Sequence, residues 1–328
     1  LLSLFRTNQI LACVLYLPYL ILLRLPVYLF PDQQRHVFSD NTLFPGLLEP
    51  LLQYPLLTEC LQIVFLLAIA VFITLTATLQ RVDREISLFP GLLFLLISSL
   101  LPDLLGFSVI LPAVLLVWYA MDQLIHTYRK YDPVYQLFNT GFAIGAAMLL
   151  YPSFSLFLLA ALMGINSLRS FNPKEYLLIL IGFITPLFLT GVAFFWYDRL
   201  QDLWDFLLLG FSFLDWEKED DRWLEKLLPY GIFLFIVLLS RPAYRSKKSM
   251  PSRKSIDVVY LILLGTGLVA LFTHLLEPDL LIMLSAPLGF LLTLNLTRFS
   301  VAVSELIHFF LLLIYTYYHY GWLVLPIG

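Results

Sequence analysis

Charge is scarce in this chain. Asp, Glu, Lys and Arg make up 13% of its 328 residues and apolar side chains 60%, whereas a soluble domain is about one quarter charged. That composition excludes an ordinary soluble domain and points to a multi-span membrane protein. Segments of alternating apolar and polar residues are missing, which excludes a β-barrel. Only two cysteines occur, Cys13 and Cys60. They show no metal-ligand spacing and read as small buried hydrophobes. A net charge of −3 excludes a nucleic-acid binder driven by overall positive charge. There is no nucleotide loop, no GxGxxG, no HExxH, no CxxC and no convincing internal repeat. No stretch between the apolar runs is long enough to hold a cofactor-binding domain. Any chemistry must therefore take place at or in the membrane.

What the chain does have is apolar runs, such as "LACVLYLPYLILLRLPVYLF" and "CLQIVFLLAIAVFITLTATL". Backbone groups in lipid must bond internally, so these runs are expected to be helices. Each crossing needs roughly 20 mostly apolar residues. The pattern predicts an all-α, polytopic transmembrane helix bundle of about eleven spans. They fall at roughly 10–30, 59–79, 87–101, 105–123, 135–151, 153–168, 175–197, 227–240, 256–275, 279–297 and 299–319. Pro102, Pro152 and Pro278 are expected to punctuate the tight turns. No small-residue cleavage site follows the first run, which therefore reads as a retained span.

Orientation follows from the bias of Lys and Arg towards cytoplasmic loops. With a cytoplasmic N-terminus, most of the 20 Lys and Arg residues fall inside. They are Arg6, Arg81, Arg84, Arg129, Lys130, Arg169, Lys174, the six of "RPAYRSKKSMPSRKS", and Arg298. Carboxylates partition the other way, notably in "DWEKEDDRWLEK". The C-terminus is then outside. Two outer loops are long, 31–58 and 198–226. Within the second, "LWDFLLLGFSFLDW" reads as a helix lying at the interface, anchored by Trp204 and Trp216. Asp122 and His126, at a cytoplasmic helix end, read as solvated.

Four polar constellations stand out. In "PDQQRHVFSDN", Asp32 closely follows the first span, at headgroup depth. Partial desolvation there would make it a better base. Arg35 and His36 could bind phosphate or balance Asp32. The other reading is a solvated outer loop. In "LLPDLLGFSVILP", Asp103 is the sole charge of a short turn on the same side. It reads as a helper of Asp32 or as a helix-start residue near the positive helix end. In "YDRLQDLWD", Arg199 is a candidate phosphate ligand by guanidinium geometry, or part of an exposed ion-paired helix. In "SVAVSELIHFF", Glu305 and His308 share one helical face at lipid depth. Ionisable groups there are costly and often functional, although the two could also satisfy each other. Arg24, near the outer end of its span, either snorkels to water or points at a lipid phosphate.

The layout resembles the integral-membrane GT-C glycosyltransferases, in particular the protein mannosyltransferase-like branch. "FPDQQRHVF" is similar to that branch's Pro-Asp-Glu-Ala-type segment after span one, and "LPDLLGFSVILPAVLLV" to its span-four region. "FNTGFAIGAAMLLYPSFSLFLLAALMGI" and "KEYLLILIGFITPLFLTGVAFFWYD" resemble the helix pair closing its module. "LRSFNPKEYLLILIGFITPLFL" also resembles a multi-pass inner-membrane family of Bacteroidota without assigned activity. The resemblance covers about residues 8–200 and is architectural more than motif-based. It implies a seven-span module over 1–200 with outer loop 31–58, an outer periplasmic loop 198–226, and a C-terminal four-span module over 227–328. It implies transfer of a sugar from a polyprenyl-phosphate donor to an acceptor on the periplasmic face of a bacterial inner membrane. Asp32 and Asp103 would be the catalytic residues, and Arg24, Arg35, His36 and Arg199 would bind substrate phosphate. A divalent cation is open, with no ligand set identified. Gln33 stands where the family usually has a second acid. Two further readings stay open. One is a non-catalytic scaffold or subunit of a cell-envelope complex, docking partners through 198–226. The other is a proton-coupled transporter using Glu305 and His308. Membrane lipids are partners in every case, and nucleic acid in none.

Overall fold

A computed structural model describes residues 10–29, 54–80, 87–209, 223–245, 248–272 and 279–324. Every regular element among them is an α-helix or a 3₁₀ turn. Four helical stretches are long and apolar enough to cross a membrane: Leu56–Leu79, Pro173–Trp196, Met250–Leu271 and Val301–Tyr320. Among the described residues the fold is all-helical, and these four helices suit a membrane protein.

The first expected span is broken. After a 3₁₀ turn at Ile10–Leu15 come α1 (Tyr16–Leu23) and α2 (Leu25–Leu29). Arg24 is the joint, with φ −100° and ψ 5°. Pro26 explains the break. It has no N–H to give, and its ring crowds the carbonyl four residues back. The second span is one long helix, α3 (Pro55–Leu79), opened by a proline at its first position, where the missing N–H costs nothing.

The third expected span, 87–101, is only a ten-residue helix, α4 (Phe89–Ser98), with all ten residues buried. It forms the centre of the bundle, flanked by α1 and α3. Pro102 starts a 3₁₀ turn, Pro102–Leu105, so the next helix, α5 (Ile110–Ile125), begins later than the apolar run suggests. Pro152 acts in the same way. It opens the turn Pro152–Leu156 between α6 (Val134–Leu150) and α7 (Phe157–Leu168). Pro278 lies outside the described residues.

Then follow α8 (Pro173–Trp196), α9 (Leu200–Leu209), α10 (Trp223–Arg245), α11 (Met250–Leu271), α12 (Asp279–Leu296) and α13 (Val301–Val324). Asn172 caps α8 by accepting from the Lys174 N–H at 3.2 Å, and Ser249 caps α11, each satisfying an orphan donor. α12 runs through the interior against α4, α5, α10 and α11. α8 and α13 lie at the edge. Only 17% and 22% of their apolar windows are buried, which leaves most of each helix to lipid.

The contact between α6 and α8 depends on having no side chain. A Cβ on Gly141 would lie 1.9 Å from the Ile179 carbonyl oxygen, and one on Gly182 2.2 Å from that of Phe138. Two backbones in direct contact are a common way for helices to associate in lipid, where apolar burial alone supplies no drive.

Polar side chains collect at two levels. Along α3, Glu59 marks one level and Gln80 the other, about 30 Å apart at 1.5 Å per residue. That matches a hydrocarbon core of about 30 Å.

Candidate functional site

The more deeply buried polar cluster is at the Glu59 level. Arg24 is 0% exposed there. Its Nε donates to Glu59 Oε1, and its Nη2 donates to Glu59 Oε2 at 2.9 Å and to the Leu105 carbonyl. This is a two-point guanidinium–carboxylate fork, the strongest form of such a pair. One turn along α3 from Glu59, Gln62 Nε2 donates to the Leu104 carbonyl at 3.2 Å. Adjacent carbonyls of the Pro102–Leu105 turn thus receive Gln62 and Arg24. A 3₁₀ turn has few internal bonds, so its carbonyls are free to accept.

α13 closes one side. Tyr315 donates its hydroxyl to the Leu23 carbonyl, next to Arg24. His319, with its ring 4.3 Å from that of Tyr315, places Nε2 3.0 Å from the Ser99 carbonyl. A carbonyl only accepts, so Nε2 carries the proton. α10 closes another side, where Lys226 Nζ meets Asp103 Oδ2 at 2.7 Å. Both of these side chains are about a quarter exposed, 28% and 22%, so this second pair sits at the mouth of the cluster. Arg24, Glu59, Gln62, Asp103 and Lys226 form one polar seam at the end where the described chain leaves after Leu29 and returns at Tyr54.

No family model matches this chain, and no curated protein or solved structure does either. The seam must be read from its own geometry.

The expected site residues are distributed as follows. Asp32, Arg35 and His36 lie outside the described residues. Arg24 neither snorkels nor faces lipid; it turns inward to Glu59. Asp103 sits in the first turn of the 3₁₀ element and meets Lys226. Arg199 is not part of the seam. It follows the α8 end at a joint where Asp198 has φ 55°, and it donates to Asp202 at 2.6 Å with its side chain 67% exposed. His308 is buried within the bundle, its Nε2 3.0 Å from the Tyr19 hydroxyl. Glu305 is half-buried, one turn away on α13.

Sequence reading missed Glu59, Gln62, Lys226, Tyr315 and His319. Glu59 carried a usable signal, as a lone acid in the first turns of an apolar run opposite a lone Arg. Lys226 looked like the end of an acidic loop, and the others like ordinary span residues. The described residues do not make a divalent-cation site. No three His, Cys, Asp or Glu side chains gather among them, and the Asp103 carboxylate faces an ammonium. Both cysteines are free, with Cys13 half-buried and Cys60 exposed on α3 rather than buried.

The opposite level has its own network. Asp122 is buried, not solvated. It accepts from Thr76 Oγ1 at 3.1 Å. His126 donates Nδ1–H to the Asp122 carbonyl at 2.8 Å, and its Nδ1 lies 3.3 Å from Asp122 Oδ2. The Asp122 bond holds the His126 pKa above its ordinary value, against partial burial. Nearby, Arg169 binds Glu175 at 2.9 Å and the Thr127 and Lys130 carbonyls. Lys254 reaches the Ser167 carbonyl. These bonds tie helix ends together.

Proposed function

We propose that this protein is a bacterial inner-membrane transferase of GT-C-like layout, acting at its outer face on a polyprenyl-phosphate-linked sugar. The observation that carries the reading is the convergence of Arg24, Glu59, Asp103 and Lys226 at the end where 30–53 departs and returns. In sequence that segment carries Asp32, Arg35 and His36, and Arg199 follows the end of α8, whose start lies at the Arg169–Glu175 pair of the opposite level. The orientation draws support from the charges at the two polar levels. The Asp122 level carries Arg129, Lys130, Arg169 and Lys254, as a cytoplasmic face should.

In this reading Asp32 takes the proton of the acceptor hydroxyl as that oxygen attacks the sugar carbon. The bond to the donor phosphate breaks, and Arg35 and Arg199 stabilise the charge left on the phosphate. Arg24, already neutralised by Glu59, fixes the exit of the segment. Purified protein with a labelled polyprenyl-phosphate sugar tests this. Asp32→Asn is expected to lower transfer at least 100-fold, the usual size of a general-base contribution. Transfer retained in that variant, or absent from the wild type, refutes the proposal.

Three observations favour a second reading, a non-catalytic subunit of an envelope assembly. Each charge in the seam already has an opposite partner, and Gln33 stands where a second acid would be. α9 leaves Trp204 and Leu208 more than half exposed beside Asp202 and Asp205, a surface suited to docking. A partner recovered in fixed ratio, and lost with Trp204→Asp, would support it.

A further inference from the structure

Two atoms of the seam are left over. Arg24 Nη1 and Gln62 Oε1 are both buried without a hydrogen-bond partner among the described residues. Both residues are 0% exposed. The orientation of the Gln62 amide is fixed by its contact, because the Leu104 carbonyl at 3.2 Å needs a donor. Reversing the amide would set two carbonyl oxygens against each other. The unused atoms are therefore an obligate donor and an obligate acceptor. Both are carried by side chains tethered to neighbouring carbonyls, Leu104 and Leu105. Leaving a buried polar atom unsatisfied costs about 1–3 kcal/mol, and more where charge is involved. A third orphan, Ser99 Oγ, belongs to the residue whose carbonyl binds His319. A hydroxyl either donates or accepts.

The chemistry of the missing partner follows. The Glu59 carboxylate balances Arg24, so the pair has no net charge with which to recruit an anion. A fully ionised phosphate or carboxylate also has no proton for Gln62 Oε1. An ammonium has nothing to accept from Arg24 Nη1. A hydroxyl group does both. The neighbouring ends of α2 and α3 are apolar: Tyr28, Leu29, Leu56 and Leu57 are 56%, 59%, 76% and 46% exposed. An occupant entering there keeps a hydrocarbon tail against them.

We propose that Arg24 and Gln62 form a binding site for a hydroxyl of an uncharged polyol headgroup, glycosyl or glycerol, on a membrane amphiphile. The site does not depend on transfer chemistry. Binding without transfer would leave it standing and remove the transferase.

The test uses the full chain purified in dodecyldimethylamine oxide, which has no hydroxyl. Thermal unfolding is followed while octyl β-glucoside, monooctanoylglycerol or octyl phosphate is titrated below micelle-forming concentration. Either hydroxyl amphiphile is expected to raise the midpoint saturably, and which one does so identifies the source. Octyl phosphate at pH 9 is expected to give no saturable shift. Gln62→Met, which keeps the bulk but not the acceptor, should weaken the response about tenfold or more, the loss of one hydrogen bond. The wild-type contrast alone decides if that variant fails to fold. Saturable stabilisation by octyl phosphate equal to that by the glucoside overturns the proposal. So does no saturable shift with either hydroxyl amphiphile, or an unchanged affinity in Gln62→Met. An experimental map at saturating glucoside showing only an ordered water on Arg24 Nη1 overturns it as well.

Discussion

Changing Glu59 to glutamine removes one charge and almost no volume. Among the described residues that charge is the only counter-ion bonded to a guanidinium that is 0% exposed. The glutamine oxygen still accepts one bond from Arg24, and the Leu105 carbonyl accepts another. Hydrogen bonding is therefore partly kept, while the charge is left unbalanced. Removing one partner of a buried ion pair costs about 3–5 kcal/mol, because the other stays buried and uncompensated. Coulomb's law gives a similar size, about 4 kcal/mol for unit charges 4 Å apart at an effective dielectric of 20. Replacing both groups should cost far less, since apolar replacement of a whole buried pair is often neutral or stabilising. Arg24→Met with Glu59→Leu is thus expected to be more stable than Glu59→Gln alone. The assay is reversible unfolding in mixed micelles, followed by circular dichroism as a denaturing detergent is titrated. A loss below about 1 kcal/mol for Glu59→Gln would put the pair in the class of solvent-screened surface pairs and refute its burial. Additive effects in the double-mutant cycle would refute the direct coupling.

Two other predictions concern parts of the bundle away from the seam. Gly141→Val sets a branched side chain where even a Cβ would lie 1.9 Å from the Ile179 carbonyl oxygen. α6 and α8 must then separate, at about 1–3 kcal/mol or more, seen as a lower unfolding midpoint; an unchanged midpoint would refute the close contact. His126 predicts a pH effect of known sign. Its folded pKa lies above the ordinary 6.5, chiefly through its bond to Asp122. Its stabilisation is thus fully present below 6.5 and is lost as pH rises through the folded value. The side chain is 41% exposed, so screening keeps the effect small. Midpoints of wild type and His126→Gln should differ most in acid and converge once the pH has passed the raised pKa of the folded state. A difference that grows with pH would reverse the assignment.

The helices and their punctuation were legible because lipid leaves the backbone few options. Apolar runs become helices, and Pro102 and Pro152 open turns as a ring without an N–H must. What periodicity could not give was depth. Phe89–Ser98 reads as a shortened span because hydropathy does not separate a helix facing lipid from one wrapped by others. Arg24 is the clearest case. Its position in an apolar run marked it as unusual, but snorkelling and inward pairing look alike in one dimension. The choice depended on Glu59, 35 residues away, and on Pro26 turning the chain at the right residue. Asp122 was misread for the same reason. A carboxylate near a helix end is usually wet, and here Thr76 from a neighbouring helix covers it.

The seam is an expensive way to hold helices together. Apolar side chains of similar volume would pack α1 against α3 at no desolvation cost, and the two orphaned atoms of Arg24 and Gln62 add to the deficit. An occupant that bonds both atoms in the folded protein alone offsets that deficit. By mass action it stabilises the fold by about 2.7 kcal/mol when present at 100 times its dissociation constant. The same linkage ties occupancy to the chain around Arg24. This residue joins α1 to α2, and α2 leads directly into the segment bearing Asp32. Glu59 opens the helix to which that segment returns. A ligand that tightens Arg24 and Gln62 against the Leu104–Leu105 carbonyls therefore also tightens both anchors of the segment. Amide hydrogen exchange in 25–29 and 56–62 should accordingly slow when the hydroxyl amphiphile binds, and stay unchanged with octyl phosphate.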